Sequence, residues 1–377
     1  MKSKVTGVVL AAVLAAAAVT GCGAGSSGEE SPAAVQTTEA PESASTDSAL
    51  EESAAGAVST ESEPEAEMSE DTVLDYDGTT IRVGSLKGPT TMGLVNLMKA
   101  SDNGEAAGQY EFTMASDPSE VVASVASGDL DIAMIPANLA ATLYSKTNGG
   151  VEVVDINTLG VLYCVTGDES ISSVTDLAGK TVLTTGQGAT PEYALNFLLS
   201  ENGVTDCTLE FHSEASEIAA LLQEDSSQIA VLPQPFVTAA ELQNDQLRTA
   251  FSLTDAWDEA VTDGSRFLTG ATVVRSAFLE EHPDAVEVFL QEHEASADQA
   301  NTDVDGTADL VAEYGIVEKA AVAAKALPYC NIVCITGEEM KTALSGYLNV
   351  LYDADASSVG GTLPGDDFYY IGESAGD

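Results

Sequence analysis

The chain has 377 residues, 44% of them apolar, and carries a formal charge of −48 from 61 acidic against 13 basic side chains. So acidic a surface offers no basic patch for nucleic acid and is repelled by anionic lipid headgroups. The stretch from about Thr79 onward exceeds what one compact core usually holds, so one or two lobes are expected.

Lys2 and Lys4 precede an apolar run over residues 5–19, and small residues then lead to a cysteine in Val19-Thr20-Gly21-Cys22. This is the layout of a secretory signal, and the run falls short of the about 20 apolar residues that cross a bilayer. A cysteine directly after the small-residue site resembles a bacterial lipobox. That resemblance implies a signal peptide over 1–21, cleavage before Cys22, and lipid on its sulfur and on the new N-terminus. The mature protein would then be extracytoplasmic and lipid-anchored to the cell membrane. Residues 22–78 are mostly Ala, Ser, Glu, Thr, Gly and Pro, with no Lys or Arg between Val5 and Ile81. Such a segment buries too little apolar surface to offset its ordering entropy, and its like charges keep it extended. It reads as an acidic disordered tether.

Beyond the tether, short apolar runs alternate with amphipathic stretches. A strand is expected over 80–84, a helix over 91–100 with Leu94, Val95 and Met98 on one side, and a strand over 110–115. Asp117-Pro118-Ser119-Glu120 opens the next helix: Asp caps, Pro takes the first turn, and Glu sits three after the cap. That helix ends near Gly128. Strands follow over 130–135, 181–184, 209–212 and 228–232, with helices over 191–202 and 216–223. The alternation predicts an α/β protein with parallel sheets and helices on both faces, in which ligands gather at the carboxyl ends of strands.

At those ends lie four Gly- or Pro-rich turns, each leading into a helix. The first contains Lys87, Gly88, Pro89, Thr90 and Thr91, and the second Pro136, Ala137 and Asn138. The third contains Gly186, Gln187, Gly188, Ala189 and Thr190 before Pro191, and the fourth is Pro233-Gln234-Pro235. Glycine permits close backbone approach, and helix N-termini offer unpaired N–H groups. Thr190 before Pro191 has the cap-then-proline arrangement. Singly each is an ordinary βα turn; together they point to a ligand cleft. Gly186-x-Gly188 is no dinucleotide fingerprint, because the third glycine position is Pro191 and no such cofactor is expected outside the cell.

Besides Cys22 the cysteines are Cys164, Cys207, Cys330 and Cys334. An even number outside the cytoplasm permits disulfides, but spacing gives no connectivity. Residues 329–335 read as a strand, on which Cys330 and Cys334 share a face about 13 Å apart, beyond the reach of a direct bond. His212, His282 and His293 are scattered, so no metal site is expected and the cysteines read as small buried thiols.

The segment Gly128-Asp129-Leu130-Asp131-Ile132-Ala133-Met134-Ile135-Pro136 resembles a signature of type II periplasmic binding proteins, the solute receptors of ABC importers. The likeness is to the nitrate/sulfonate/taurine and thiamine-precursor class. Three further segments agree in order: 174–180, 230–235, and 270–278 followed by His282-Pro283. The resemblance implies two Rossmann-like α/β lobes joined by a hinge, with the ligand in the cleft between them. Lobe one would comprise 79–165 and 264–377, and lobe two 166–263. The four turns would line the cleft, with Arg266 on the returning crossover beside it.

Implied, too, is an extracytoplasmic solute-binding lipoprotein that delivers its solute to an ABC permease. Lys87 and Arg266 are the only basic residues expected at the cleft, so solute charge stays open between sulfonate, nitrate, bicarbonate and an aminopyrimidine-like molecule. Two other functions share the scaffold. One is a ligand-sensing domain for a membrane partner. The other is an enzyme resembling the eukaryotic thiamine-pyrimidine synthase, which depends on a histidine and a cysteine-rich motif. Cys330-Asn331-Ile332-Val333-Cys334 only faintly echoes that motif, and His212 has no nucleophile or base readable nearby. No catalysis and no cofactor are expected.

Overall fold

The alternating runs become eleven strands in the computed structural model, which describes residues 76–372. The expected signal, the lipidated Cys22 and the tether up to residue 75 lie outside the described residues. In chain order the strands are β1 Thr80–Leu86, β2 Gln109–Ala115, β3 Ile132–Pro136, β4 Val151–Leu159, β5 Leu162–Thr166 and β6 Thr181–Thr184. The remainder are β7 Thr208–Phe211, β8 Ile229–Pro233, β9 Arg248–Ser252, β10 Leu268–Arg275 and β11 Ile332–Ile335. They form a six-stranded sheet in the order β11-β4-β10-β3-β1-β2 and a five-stranded sheet in the order β7-β6-β8-β5-β9. With helices packed on both, this is the α/β architecture of two Rossmann-like lobes. Among the described residues, no helix is long and apolar enough to cross a membrane.

The sheets are mixed, which corrects the expectation of parallel ones. β2-β1-β3 and β7-β6-β8 are parallel. β10 runs antiparallel to β3 and β4, and β5 antiparallel to β8 and β9. The reason is the route of the chain. β4 ends at Leu159 and β5 begins at Leu162, opposite Pro233 at the carboxyl end of β8. β10 begins opposite the carboxyl ends of β4 and β3, pairing Leu268 with Leu159 and Gly270 with Pro136. A chain that leaves one sheet at its carboxyl edge enters the other from that same edge, so each crossing strand runs against its neighbours. The first crossover is therefore Gly160–Val161, a few residues before the division expected at 165/166, because all of β5 pairs within the second sheet.

Two local expectations fail for identifiable reasons. The helix over 91–100 is two helices, Pro89–Met92 and Val95–Asn103. At the break, a Cβ on Gly93 would lie 2.7 Å from Ile332 Cγ2, so β11 packs directly on bare backbone. The strand over 329–335 is shortened because Leu327–Tyr329 is a 3-10 turn and Asn331 takes φ 48°. Cys330 therefore precedes the strand, and the shared face expected for Cys330 and Cys334 does not exist. All four described cysteines are free thiols.

The Gly128–Asp131 signature is architectural. Asp117 caps the helix Pro118–Ser127, accepting from Ser119 N at 2.8 Å, and Gly128 ends it at φ 82°. Asp131 is buried and accepts from Arg82 Nε at 2.7 Å and Nη2 at 2.6 Å, and from Arg275 Nη2 at 2.5 Å. One carboxylate thus ties β1 and β10 to the start of β3. Burial opposes its ionisation, but the hydrogen bonds from Arg82 and Arg275 outweigh burial and hold its pKa below the ordinary value. A depressed folded pKa gives stability that is present above the unfolded value and lost as pH falls through the folded one. Asp131→Asn is expected to cost roughly 3 kcal/mol near pH 7, the low end for a broken buried pair because both guanidiniums keep some water. In urea unfolding, that deficit should shrink below about pH 4; a deficit independent of pH would refute the ionic account.

Candidate binding site where the two sheets meet

Both crossovers pass the carboxyl ends of the parallel strands, so the turns after β1, β3, β6 and β8 all sit toward the junction between the sheets. After β1, the Lys87 side chain is exposed and has no ion pair among the described residues, while its N–H donates to Ala115 O at 2.9 Å. Thr90 and Thr91 are buried and their hydroxyls turn back: each donates to Leu86 O, at 3.1 and 2.5 Å, and Thr91 also to Ser85 Oγ at 2.9 Å. Gly88 and Pro89 form the turn itself, with Gly88 at φ 148° and Pro89 opening the short helix. Thr90 meets the second turn through Gly270, where a Cβ would lie 2.7 Å from Thr90 Cγ2, and Gly270 pairs with Pro136. Ala137 is buried, and Asn138 Nδ2 donates to Ser358 O at 3.3 Å.

In the turn after β6, Gly186 and Gly188 take φ 76° and 69°, a region that only glycine enters without strain. Gln187 and Gly188 are exposed. The N–H of Gly188 is taken by the carboxylate of Glu192 at 2.6 Å, four residues along in the helix that follows the turn. Thr190 is not the cap: Ala189 occupies that position in extended conformation, and the helix runs Thr190–Glu201. The shift follows from Ala189 N bonding Gly186 O at 3.0 Å, which closes the turn one residue early. Thr190 instead opens the helix with its side chain beside the buried phenol of Tyr347, whose pKa burial raises.

Gln234 is buried, bonds Val161 O at 3.0 Å through its N–H, and accepts from Thr238 Oγ1 at 2.9 Å through Oε1. Its peptide bond to Pro235 is cis. Arg266 does not offer a free charge, because its Nε donates to Asp258 Oδ1 at 3.0 Å. The structure therefore brings Thr90 and Pro136 together at Gly270, and Asn138 and Thr190 to the segment 347–358. It leaves Arg266, on the returning crossover, committed to Asp258.

Sequence reasoning missed a second charged cluster, in which Lys319 stands with Glu318 and Lys325 with Glu241. The helix Phe236–Gln243, which follows the Gln234 turn, faces residues 317–329 across two cavities. One, of about 270 Å³, is lined by Pro235, Phe236 and Lys319 among others. The other, of about 460 Å³, is lined by Thr238, Leu242, Lys325 and Tyr329. Neither lysine has an ion pair among the described residues, and Phe236, Leu242 and Tyr329 are exposed there. In sequence, Lys319 caps an alanine-rich helix and Lys325 sits in its last turn, and neither carries a motif, so only their placement marks them. A cavity of about 520 Å³, lined by Ser173, Asn202, Asp255 and Glu259, belongs to the second lobe alone.

His212 lies between Glu210 and Glu217, at 3.3 and 3.2 Å. Cys330 is buried with its thiol against Ala326 O and Met92 Sδ, and burial pushes its pKa up to about 12. Gln234→Ala removes the acceptor of a buried hydroxyl and is expected to cost about 1–3 kcal/mol of folding stability. Gln187→Ala, on an exposed side chain, should stay within about 0.5 kcal/mol of the parent. Urea midpoints of the two variants check this, and an unaltered Gln234→Ala would show that the Thr238 bond contributes nothing.

A family model described as "ABC transporter, phosphonate, periplasmic substrate-binding protein" matches residues 105–300. Among solved structures, an ABC transporter from Parabacteroides distasonis superposes with a TM-score of 0.66 at 23% identity, covering 78% of this chain and 99% of that one. The aliphatic sulphonate binding protein SsuA from Escherichia coli gives a TM-score of 0.58 at 14% identity, over 73% and 87% of the two chains. The alkanesulfonate-binding protein SsuA from Xanthomonas axonopodis pv. citri, bound to MOPS, gives 0.54 at 13% identity, over 76% and 94%. No curated protein sequence matches the chain.

Proposed function

Since the chain belongs to the phosphonate family of periplasmic substrate-binding proteins of ABC transporters, we propose that the solute it captures is a small organic oxyanion, a phosphonate or a sulfonate. The protein is the extracytoplasmic substrate-binding component of an importer. What carries the proposal about its solute is the placement of Lys319 and Lys325 beside the Gln234 turn, unpaired in a chain of charge −48. The lobes divide at the two crossovers, Gly160–Val161 and Arg266–Phe267, and the solute sits between them against the turns after β1, β3, β6 and β8. Lys87 would approach it from the first lobe. No chemistry accompanies capture, and a permease takes the solute on.

A neutral, aminopyrimidine-like solute is the second reading. It is favoured by the Glu192 carboxylate on Gly188 N–H, which fills with the protein's own charge the helix end that an anion would use. Calorimetric titration with methylphosphonate, an alkylsulfonate, nitrate, bicarbonate and a hydroxymethyl aminopyrimidine separates the two. For an oxyanion, affinity should fall with added salt. Lys319→Ala or Lys325→Ala should then weaken binding about ten- to a hundredfold, or roughly 1.4–2.7 kcal/mol. Salt-independent binding of the pyrimidine with no heat from any anion would reverse the assignment.

The anchor is proposed from the lipobox-like Val19-Thr20-Gly21-Cys22. Cys22→Ala is expected to release the protein from membranes and abolish lipid labelling. Retention at the membrane after signal cleavage would exclude lipidation at Cys22.

A further inference from the structure

Asp155 on β4, His293 on the helix Pro283–Thr302 and Cys334 on β11 converge, although 138 and 41 residues separate them in sequence. β11 pairs with β4 through Ile335 and Ile156, which sets Cys334 beside Asp155, and the helix lays His293 across them. Asp155 and His293 are fully buried, and the cysteine is half-buried. One donor atom from each lies within 4.8 Å of the others.

The hydrogen bonding of this group is incomplete. Asp155 Oδ1 accepts from Thr272 Oγ1 at 2.8 Å, but Oδ2 and both ring nitrogens of His293 have no hydrogen-bond partner. Buried polar atoms are rarely left so. Oδ2 lies 3.3 Å from His293 Nδ1 without the geometry of a hydrogen bond. Two ligands each about 2.0–2.1 Å from a tetrahedral zinc ion stand about 3.3 Å apart. One carboxylate, one imidazole and one thiol form a donor set of intermediate softness, which suits zinc rather than calcium or magnesium. Cys334 and Val154 also line a cavity of about 260 Å³ with Glu287 and Glu294 in its wall, which gives a cation an acidic approach and a water a place at the fourth position.

We propose that Asp155 Oδ2, His293 Nδ1 and Cys334 Sγ bind a zinc-class divalent cation, with water completing the tetrahedron. The ion would fasten β4, β11 and the long helix together within the first lobe, and binding would displace the thiol proton to solvent.

The test uses the purified full chain after treatment with chelator, titrated with Zn²⁺ and separately with Co²⁺. One equivalent of zinc should bind and raise the melting temperature by mass action, and Co²⁺ should give a thiolate-to-cobalt charge-transfer band. Cys334→Ser should abolish that band and weaken zinc at least tenfold, and His293→Gln should weaken it likewise, while Cys330→Ser leaves both unchanged. The conservative Cys334→Ser keeps the test decisive if His293→Gln fails to fold. Absence of saturable binding, binding without the band, or binding that survives Cys334→Ser would overturn the site. The last two outcomes would assign the cation to the acidic surface.

Discussion

The close approach of Gly160 to Phe267 is the contact on which the rest of the arrangement depends. These residues stand on the two crossovers, and Gly160 N donates to Phe267 O at 2.7 Å. A Cβ at 160 would overlap the Phe267 ring and lie 2.5 Å from Thr254 Oγ1, so only glycine lets the crossing chains touch. The carbonyl of Gly160 accepts from Thr254 Oγ1 at 2.8 Å and from Asn331 Nδ2 at 2.6 Å, which draws both sheets onto one peptide unit. Phe267 then packs on Trp257 and Tyr347, and Trp257 on Phe197, with ring centroids 4.4–6.2 Å apart. Each such pair adds roughly 0.5–1.5 kcal/mol beyond its burial. One apolar core therefore runs through both sheets at the joint. Because the joint lies at the carboxyl ends of the strands, the turns that can touch a solute are gathered there as well.

Charge is spent differently from what a tally suggests. The sequence holds four arginines, and the fold uses every one. Arg82 and Arg275 grip Asp131, Arg248 binds the carbonyls of Asp168 and Ile171, and Arg266 pairs with Asp258. Arg suits these fixed, forked contacts. Three lysines are paired on the surface, with Glu313, Asp168 and Asp366. On the oxyanion reading proposed above, the solute would be left to lysine and to backbone N–H groups. Lys319 and Lys325 matter for that reason, in a protein whose net field is negative.

Much of the local structure was legible in the chain. Asp117 caps its helix, the strand 181–184 has the bounds its apolar run suggests, and Gly186 and Gly188 take the left-handed conformations that their turn demands. These features are decided within a few residues, by capping, by side-chain period and by the absence of a Cβ. The roles of the site residues were less legible. Thr190 reads as a cap but lies inside the helix beside Tyr347, Gln234 also accepts from Thr238 through its amide oxygen, and Arg266 reads as a free cation but is matched by Asp258. In each case the residue type was right for a polar contact, and the identity of the partner was not encoded nearby.

The sequence by itself determined the α/β alternation, the position of the turns and the acidic character of the chain, because each is a property of composition or of short-range geometry. The tertiary structure alone decided that the crossing strands run antiparallel, that Asn331 cuts short its strand, and that lysines 319 and 325 border the junction. It alone gathers Asp155, His293 and Cys334 from three distant stretches. The physical reason is the same throughout: which partner satisfies a buried polar group depends on segments a hundred or more residues away, and packing brings those segments together only after the local elements exist.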